Sequence, residues 1–110
     1  MIQSCAIMQP TYIPWVGYFD MIDMVDLFVF YDDVQLTKRS WQIRNRLRNK
    51  SGEFWLSVPI MKTTSRNKLL IKDAKLNNKE NWKKKHLTTI ENSYSKSPFF
   101  NELFGLVEPI

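Results

Sequence analysis

The spacing of apolar residues in the first third of the chain predicts a strand, a helix and a second strand. Ile2–Met8 is a short apolar segment that ends before Pro10, so a strand is predicted there. Apolar residues recur three and four positions apart in Tyr18–Met24, which predicts a short helix. Leu27–Tyr31 is a continuous apolar run between aspartates, which is typical of a strand buried on both faces. Together they predict a βαβ unit with a right-handed crossover.

The middle of the chain changes to a period of two. Arginine or glutamine alternates with mostly apolar residues in Trp41–Lys50, and apolar residues alternate again in Phe54–Ile60. This period predicts a β-hairpin with its turn at Asn49–Gly52. A helix is the alternative for the first arm, because Arg and Leu favour helices, but the strict alternation favours the strand. Met61–Asn67 is predicted to be a loop, and a short strand is predicted at Leu69–Ile71.

The last third returns to helical spacing. An apolar stripe with a four-residue period is formed by Trp82, His86, Ile90 and Tyr94. It predicts a helix of roughly 18 residues that begins near Lys79, is capped by Asn78 and ends before Pro98. Phe99–Val107 is predicted to be a second helix or a turn. The complete pattern predicts an α/β fold: a mixed sheet with a βαβ opening, a β-hairpin and a helical C-terminal segment.

Composition limits the class of protein. With 110 residues, 44% of them hydrophobic and 25% charged, the chain is expected to be a single globular domain over residues 1–110. No apolar run is long enough to span a membrane and no basic leader precedes an apolar segment, so a cytoplasmic location is expected. One cysteine and one histidine predict neither a disulfide nor a metal site, and no cofactor is expected. Cys5 is expected to be a small buried hydrophobe.

Charge is divided unevenly along the chain. Met1–Asp33 carries five acidic residues and no basic one, whereas Val34–Ile110 carries all 16 basic residues and the remaining six acidic ones. This asymmetry favours an anionic small-molecule ligand, and a solvated basic face is the alternative. Nucleic acid is disfavoured, because the aromatic residues fit a core better than a stacking surface.

Arginines of the predicted hairpin are the candidates for holding an anion. Arg44, Arg46 and Arg48 alternate along one arm and are predicted to point the same way. A guanidinium group can bind phosphate or carboxylate through two parallel hydrogen bonds. The alternative is an exposed hairpin face with no ligand.

The loop after the first predicted strand is the candidate ligand-binding segment. In open α/β sheets, ligands bind beyond the carboxyl ends of the strands. The residues predicted to contact a ligand there are Gln9, Thr11, Tyr12 and Gly17. Gly17 would permit close approach of the backbone. The alternative is a stiff structural corner, since Pro10 and Pro14 restrict the loop.

Two titratable residues are candidates for catalysis. Asp33 follows a predicted strand, where carboxylates often act in acid/base chemistry, and a turn interaction is the alternative. His86 lies on the apolar stripe beside Trp82, which favours a histidine of the core. A general base is the alternative role for His86.

Several segments of the sequence resemble motifs of the WbqC-like protein family. They are Ala6–Phe19, Asp32–Gln35, Lys38–Arg46, Trp55–Pro59 and Trp82–His86, followed by Ile90 and Tyr94. The resemblance implies a role in bacterial surface-polysaccharide (O-antigen) biosynthesis. It also implies that residues 1–110 are the N-terminal part of a longer protein.

The resemblance leads to a specific functional prediction. It implies a transferase or binding protein that acts on a nucleotide-linked or phosphorylated sugar. Gln9, Thr11, Tyr12 and Asp33 would line the pocket, and the arginines at 44 and 46 would hold the anionic group. The alternative is a non-enzymatic scaffold that binds partner enzymes of the same pathway, and a homo-oligomer is also possible.

Pro10 and Thr11 are also similar to a Pro-Thr pair in pantothenate synthetases and cytidylyltransferases. Those enzymes follow the pair with two phosphate-binding histidines, where this chain has Trp15 and Tyr18. A related nucleotide-binding layout is therefore implied without that catalytic device.

Overall fold

The computed structural model describes residues 1–63 and 69–109. The strands are β1 (Cys5–Met8), β2 (Leu27–Phe30), β3 (Arg44–Asn49) and β4 (Gly52–Ser57). The α-helices are α1 (Val16–Met24), α2 (Trp82–Tyr94) and α3 (Phe100–Val107), and Ile71–Asp73 forms a 3₁₀ turn. These elements confirm the predicted α/β class. In the described residues, β1 with β2 and β3 with β4 form two separate two-stranded sheets.

The βαβ opening is confirmed. β1 and β2 are parallel, with Cys5 opposite Leu27 and Met8 opposite Phe30. Between them, α1 begins at Val16, two residues before the predicted start, because the backbone N–H of Tyr18 already bonds to the carbonyl of Trp15 at 3.0 Å. The carboxyl ends of both strands therefore lie at the same edge of the sheet.

Asp26 ties the end of α1 to the segment before β1. Its Oδ2 accepts hydrogen bonds from the backbone N–H groups of Gln3 and Ser4, at 3.1 and 3.0 Å, and from the Ser4 hydroxyl at 3.1 Å. The Ser4 Oγ in turn accepts from the backbone N–H of Asp26 at 3.1 Å. These bonds lower the pKa of the Asp26 carboxyl.

The expected burial of the opening strands is wrong. In β2, Leu27 is 42% exposed and Phe30 is 56% exposed, although the apolar run predicted burial on both faces. Cys5 in β1 is exposed as well, so it is not a buried hydrophobe. The physical reason is that, among the described residues, each of these strands pairs only with the other, and a two-stranded sheet is too narrow to enclose its faces.

The hairpin is confirmed with a shorter first arm. β3 begins at Arg44 because the three preceding residues form a turn: the N–H of Ile43 bonds to the Ser40 carbonyl at 3.2 Å. The connecting turn is the predicted one, where Asn49 accepts from the N–H of Ser51 at 2.8 Å. Gly52 has a φ of 118°, a backbone conformation that glycine adopts without strain.

Residues 69–73 contain less regular structure than predicted. In place of the short strand at 69–71, Leu70 forms an isolated antiparallel bridge with Gln35, and the 3₁₀ turn follows immediately. A bond from the N–H of Leu36 to the carbonyl of Leu69 at 2.7 Å supports this bridge. Residues 64–67 of the predicted loop lie outside the described residues.

The helical end is confirmed with a later start. α2 begins at Trp82 and not near Lys79, and its N-cap residue is Asn81. The predicted cap, Asn78, accepts a hydrogen bond from the indole N–H of Trp82 at 3.2 Å. Its side-chain oxygen therefore bonds to the tryptophan side chain and does not cap the helix backbone. α3 lies within the segment 99–107 that was predicted to be a helix or a turn.

The chain divides into two compact units. The first comprises Met1–Asn45 and Ser57–Asn77, and the second comprises Arg46–Leu56 and Asn78–Ile110. Among the described residues, the buried side chains are Tyr18, Leu36 and Val58 in the first unit and Leu56 and His86 in the second. The prediction of one domain over 1–110 stays a prediction. None of the helices in the described ranges combines the length and apolar character that crossing a bilayer requires.

Candidate functional site

A hollow of about 440 Å³ lies in the first unit at the carboxyl ends of β1 and β2. Its lining residues come from the end of β1, the loop after it, the residue after β2 and the turn before β3: Ile7, Met8, Gln9, Thr11, Tyr31, Thr37, Ser40, Trp41 and Gln42. This volume is within the range of small-molecule sites, roughly 300–1,000 Å³. The hollow occupies the position where open parallel sheets bind ligands.

The wall of the hollow depends on the attachment of the loop after β1 to the start of the hairpin. The backbone N–H of Tyr12 donates to the carbonyl of Trp41 at 2.9 Å. The side-chain amide of Asn45 donates to the carbonyls of Tyr12 at 3.1 Å and Ile13 at 2.6 Å. Ile13 has a φ of 48°, which is unfavourable for a β-branched residue, so these bonds hold a strained turn.

Tyr18 supports the same loop from α1. Its side chain is 2% exposed, and its hydroxyl donates to the carbonyl of Gln9 at 3.1 Å. Burial raises the pKa of the Tyr18 phenol, so the group stays protonated at neutral pH. Tyr18 therefore holds the loop in place.

Gln9 and Gln42 are joined by a side-chain hydrogen bond within the hollow. The backbone N–H of Thr37 donates to Oε1 of Gln42 at 2.9 Å, and Nε2 of Gln42 donates to Oε1 of Gln9 at 2.8 Å. Gln9 thus lines the hollow with its oxygen already bonded.

The hydroxyl of Thr11 is a buried polar group of this hollow. Its Oγ1 is inaccessible to solvent and has no hydrogen-bond partner among the described residues. A buried hydroxyl without a partner costs free energy, on the order of 1–3 kcal/mol.

Tyr12 belongs to the loop and Gly17 to the first turn of α1, and neither is among the described residues that line the hollow. Tyr12 is half-buried, and burial raises the pKa of its phenol. At Gly17, a side-chain Cβ would overlap the indole ring of Trp15. The space beside Gly17 is therefore filled by Trp15, and ligand contact by Tyr12 and Gly17 stays a prediction.

The two candidate catalytic residues lie in different units. Asp33 belongs to the first unit, is exposed and is not among the lining residues of the hollow. His86 belongs to the second unit and is 7% exposed, with its ring edge-to-face against Trp82 at 5.2 Å between centroids. This burial agrees with a histidine of the core, and a catalytic role for either residue stays a prediction.

The two candidate anion-binding arginines are also divided between the units. Arg44 belongs to the first unit and is half-buried. Arg46 belongs to the second unit, where its guanidinium forms a 3.1 Å ion pair with Glu53 and lies over the ring of Trp55 at 5.7 Å. Both partners of this ion pair are more than half exposed.

Sequence reasoning missed most of the hollow. The residues it did not propose are those that line the hollow besides Gln9 and Thr11, namely Ile7, Met8, Tyr31, Thr37, Ser40, Trp41 and Gln42, and Asn45, which holds its loop. One signal was present: Asn45 is a polar residue on the otherwise apolar side of an alternating strand. Among the described residues, no group of three or more His, Cys, Asp or Glu side chains could hold a metal ion.

Comparisons with known proteins agree with the motifs of the sequence. A model of the WbqC-like protein family matches residues 9–110. The chain is 38% identical over 109 residues to the uncharacterized protein Rv1507c of Mycobacterium tuberculosis, covering 99% of this chain and 46% of that protein. The chain therefore spans about half the length of the curated relative it matches. No solved structure matches the chain.

Proposed function

Since the chain belongs to the WbqC-like protein family, we propose that it acts as a transferase on a nucleotide-linked or phosphorylated sugar in bacterial surface-polysaccharide biosynthesis. The observation that carries this proposal is the hollow at the carboxyl ends of β1 and β2. Gln9 and Thr11, both predicted from the sequence as ligand contacts, line it.

The polar groups of the hollow support a hydroxylated ligand. The Thr11 hydroxyl is buried and lacks a partner among the described residues. Gln9 and Gln42 add two carboxamides, and Ser40 adds a hydroxyl. Small-molecule sites combine apolar walls with a few such groups, which fix the orientation of the ligand.

The basic half of the chain supports an anionic group on the ligand. Arg44 and Arg46 are the proposed contacts with phosphate. The exposed ion pair of Arg46 with Glu53 is worth about 0–1 kcal/mol, so a phosphate could replace the carboxylate at little cost. A guanidinium can also bind phosphate through two parallel hydrogen bonds, as it can a carboxylate.

Acid/base chemistry would fall to Asp33 in this proposal, with His86 as the second candidate. An exposed carboxylate can accept a proton from an acceptor hydroxyl as it attacks. Asp33→Asn is expected to lower kcat in a transfer assay while leaving KM nearly unchanged. His86→Gln is expected to lower the free energy of unfolding, because the histidine ring is packed against Trp82.

Calorimetric titration tests the binding proposal. Nucleotide sugars are titrated at low salt into the full chain and into the Arg44→Ala and Arg46→Ala variants. Both variants are expected to bind more weakly than the parent while they unfold at similar temperatures. Lys50→Ala is the control, because it removes one positive charge at the hairpin turn. Equal weakening by Lys50→Ala, or no binding across the panel, contradicts the proposal.

Exposed apolar surface favours the second candidate function, a scaffold for enzymes of the same pathway or for another copy of the chain. In the parallel sheet and α1, Ile7, Phe19 and Phe30 are each more than half exposed. Apolar surface of this kind often marks sites of protein association. A scaffold would keep its partner when Arg44 and Arg46 are replaced by Ala, and it would lose the partner on Phe19→Ser.

A further inference from the structure

The hydrogen bonds of Gln42 determine which end of the Gln9 carboxamide is available to a ligand. A backbone N–H can only donate, so the Thr37 N–H must meet the oxygen of Gln42, at 2.9 Å. The nitrogen of Gln42 is then the group that faces Gln9, and it donates to Oε1 of Gln9 at 2.8 Å. This leaves Nε2 of Gln9, with two hydrogens, as the end without a bonded partner among the described residues.

The described residues that line the hollow are uncharged. None of them is Lys, Arg, His, Asp or Glu. A phosphate bound there would lose part of its hydration and would meet no cation among these residues, which is unfavourable. A neutral ligand group does not carry this cost.

Two aromatic side chains give the hollow apolar faces. Trp41 is 50% exposed and Tyr31 is 46% exposed, and both line the hollow. Sugar rings have apolar C–H faces and polar hydroxyl edges, so a ring can pack against an aromatic side chain while its edge forms hydrogen bonds. Gln9 is the polar group that could meet that edge.

We propose that the hollow binds the uncharged sugar ring of the ligand, with Gln9 donating to an oxygen of the ring and Gln42 acting as the positioning residue that keeps the Gln9 nitrogen turned toward it. This inference rests on the proposed function and assigns the sugar, not the phosphate, to the hollow. The acceptor is a hydroxyl oxygen on the ring or the carbonyl oxygen of a substituent such as an N-acetyl group. The anionic part of the ligand lies outside the hollow.

Paired titrations test the assignment. UDP-glucose, UDP-N-acetylglucosamine, dTDP-glucose and GDP-mannose are each titrated into the full chain beside the matching nucleoside diphosphate. At least one nucleotide sugar is expected to bind more tightly than its diphosphate. Gln9→Met is expected to reduce the affinity for that nucleotide sugar by roughly three- to tenfold, as for one lost hydrogen bond, and to leave diphosphate binding unchanged.

A double-mutant cycle tests the positioning role of Gln42. Gln42→Met is expected to weaken nucleotide-sugar binding in the same direction as Gln9→Met, again without changing diphosphate binding. The double variant is expected to lose no more affinity than Gln9→Met alone, because both changes remove the same oriented donor. Gln35→Met is the matched control: Gln35 is an exposed glutamine of the first unit that does not line the hollow.

The outcomes separate this inference from the proposed function. If neither nucleotide sugars nor diphosphates bind, the proposed function fails. If both bind equally, or if Gln9→Met weakens both in parallel, the proposed function stands and the sugar assignment is overturned. If the losses from Gln9→Met and Gln42→Met add, the positioning role is overturned.

Discussion

Asn45 donates its side-chain amide to the carbonyl oxygen of Ile13 at 2.6 Å, across 32 positions of the sequence. The same nitrogen donates to the carbonyl of Tyr12, so one side chain at the start of β3 holds two successive carbonyls of the loop after β1. Because carbonyls only accept, no acidic or apolar residue can replace the amide. The shape of the hollow therefore depends on a residue that does not line it.

Asn45→Ala is expected to lower the free energy of unfolding by roughly 1–3 kcal/mol, because two loop carbonyls lose their donor. Urea denaturation measures the change. Asn92→Ala is the matched control, since Asn92 is exposed on α2. Equal midpoints for the Asn45 and Asn92 variants would contradict this role of Asn45.

Tyr18→Phe is expected to lower the free energy of unfolding by about 0.5–1.5 kcal/mol, because the hydrogen bond to the Gln9 carbonyl is lost. Burial raises the pKa of the Tyr18 phenol above its ordinary value of 10.0. The protonated phenol therefore contributes its full stability below pH 10.0, and this contribution is lost as the pH rises through the pKa of the folded state. The variant is thus expected to lose less stability than the parent in alkaline titrations of the melting temperature. A parallel alkaline loss in both proteins would show that Tyr18 does not contribute.

Two helical glycines are expected to respond in opposite directions to alanine. Gly105→Ala in α3 is expected to stabilise the protein by about 0.5–1 kcal/mol, since a Cβ there meets no atom within 4 Å. Gly17→Ala in α1 is expected to destabilise it, because the Cβ would displace the Trp15 indole from its edge-to-face contact with Tyr18. Thermal unfolding of the two variants measures both changes in stability. A higher melting temperature for Gly17→Ala would show that the Trp15 indole moves away freely.

Asp26→Asn is expected to lower the melting temperature at neutral pH, because a carboxylate that accepts three hydrogen bonds is replaced by a weaker acceptor. The folded-state pKa of Asp26 is lowered, so its contribution is present above the ordinary value of 3.8 and is lost as pH falls through the lowered value. The difference between parent and variant should therefore shrink in acid. Asp23→Asn is the control, because Asp23 is an exposed carboxylate in the last turn of α1. A difference that does not change with pH would contradict the role of the charge.

The opening of the chain shows what local pattern predicts well. Tyr18–Met24 has helical spacing and Leu27–Tyr31 is a compact apolar run, so the βαβ order follows from residues that are near one another in sequence. The same pattern gave the wrong burial for β2, because burial depends on which other segments cover a strand. A continuous apolar run cannot report whether such a segment is present.

The predicted boundaries of β3 and α2 were wrong where a single hydrogen bond, from the backbone or from a side chain, lies outside the periodic pattern. The Ser40 carbonyl keeps Ile43 in a turn and delays β3 until Arg44, and Asn78 bonds to the Trp82 indole and does not cap α2. Each of these contacts is an individual hydrogen bond. Periodicity, which averages over many residues, does not detect it.

The sequence by itself determined the α/β class, the hairpin turn, the family and two residues of the hollow, Gln9 and Thr11. These follow from short-range patterns and from joined motifs. Only the tertiary structure decided that Gln42 orients Gln9 and that Asn45 holds the loop, because both bonds join positions more than 30 residues apart. Hydrogen bonding between distant residues requires the folded geometry, since a glutamine or asparagine in the sequence does not indicate its partner.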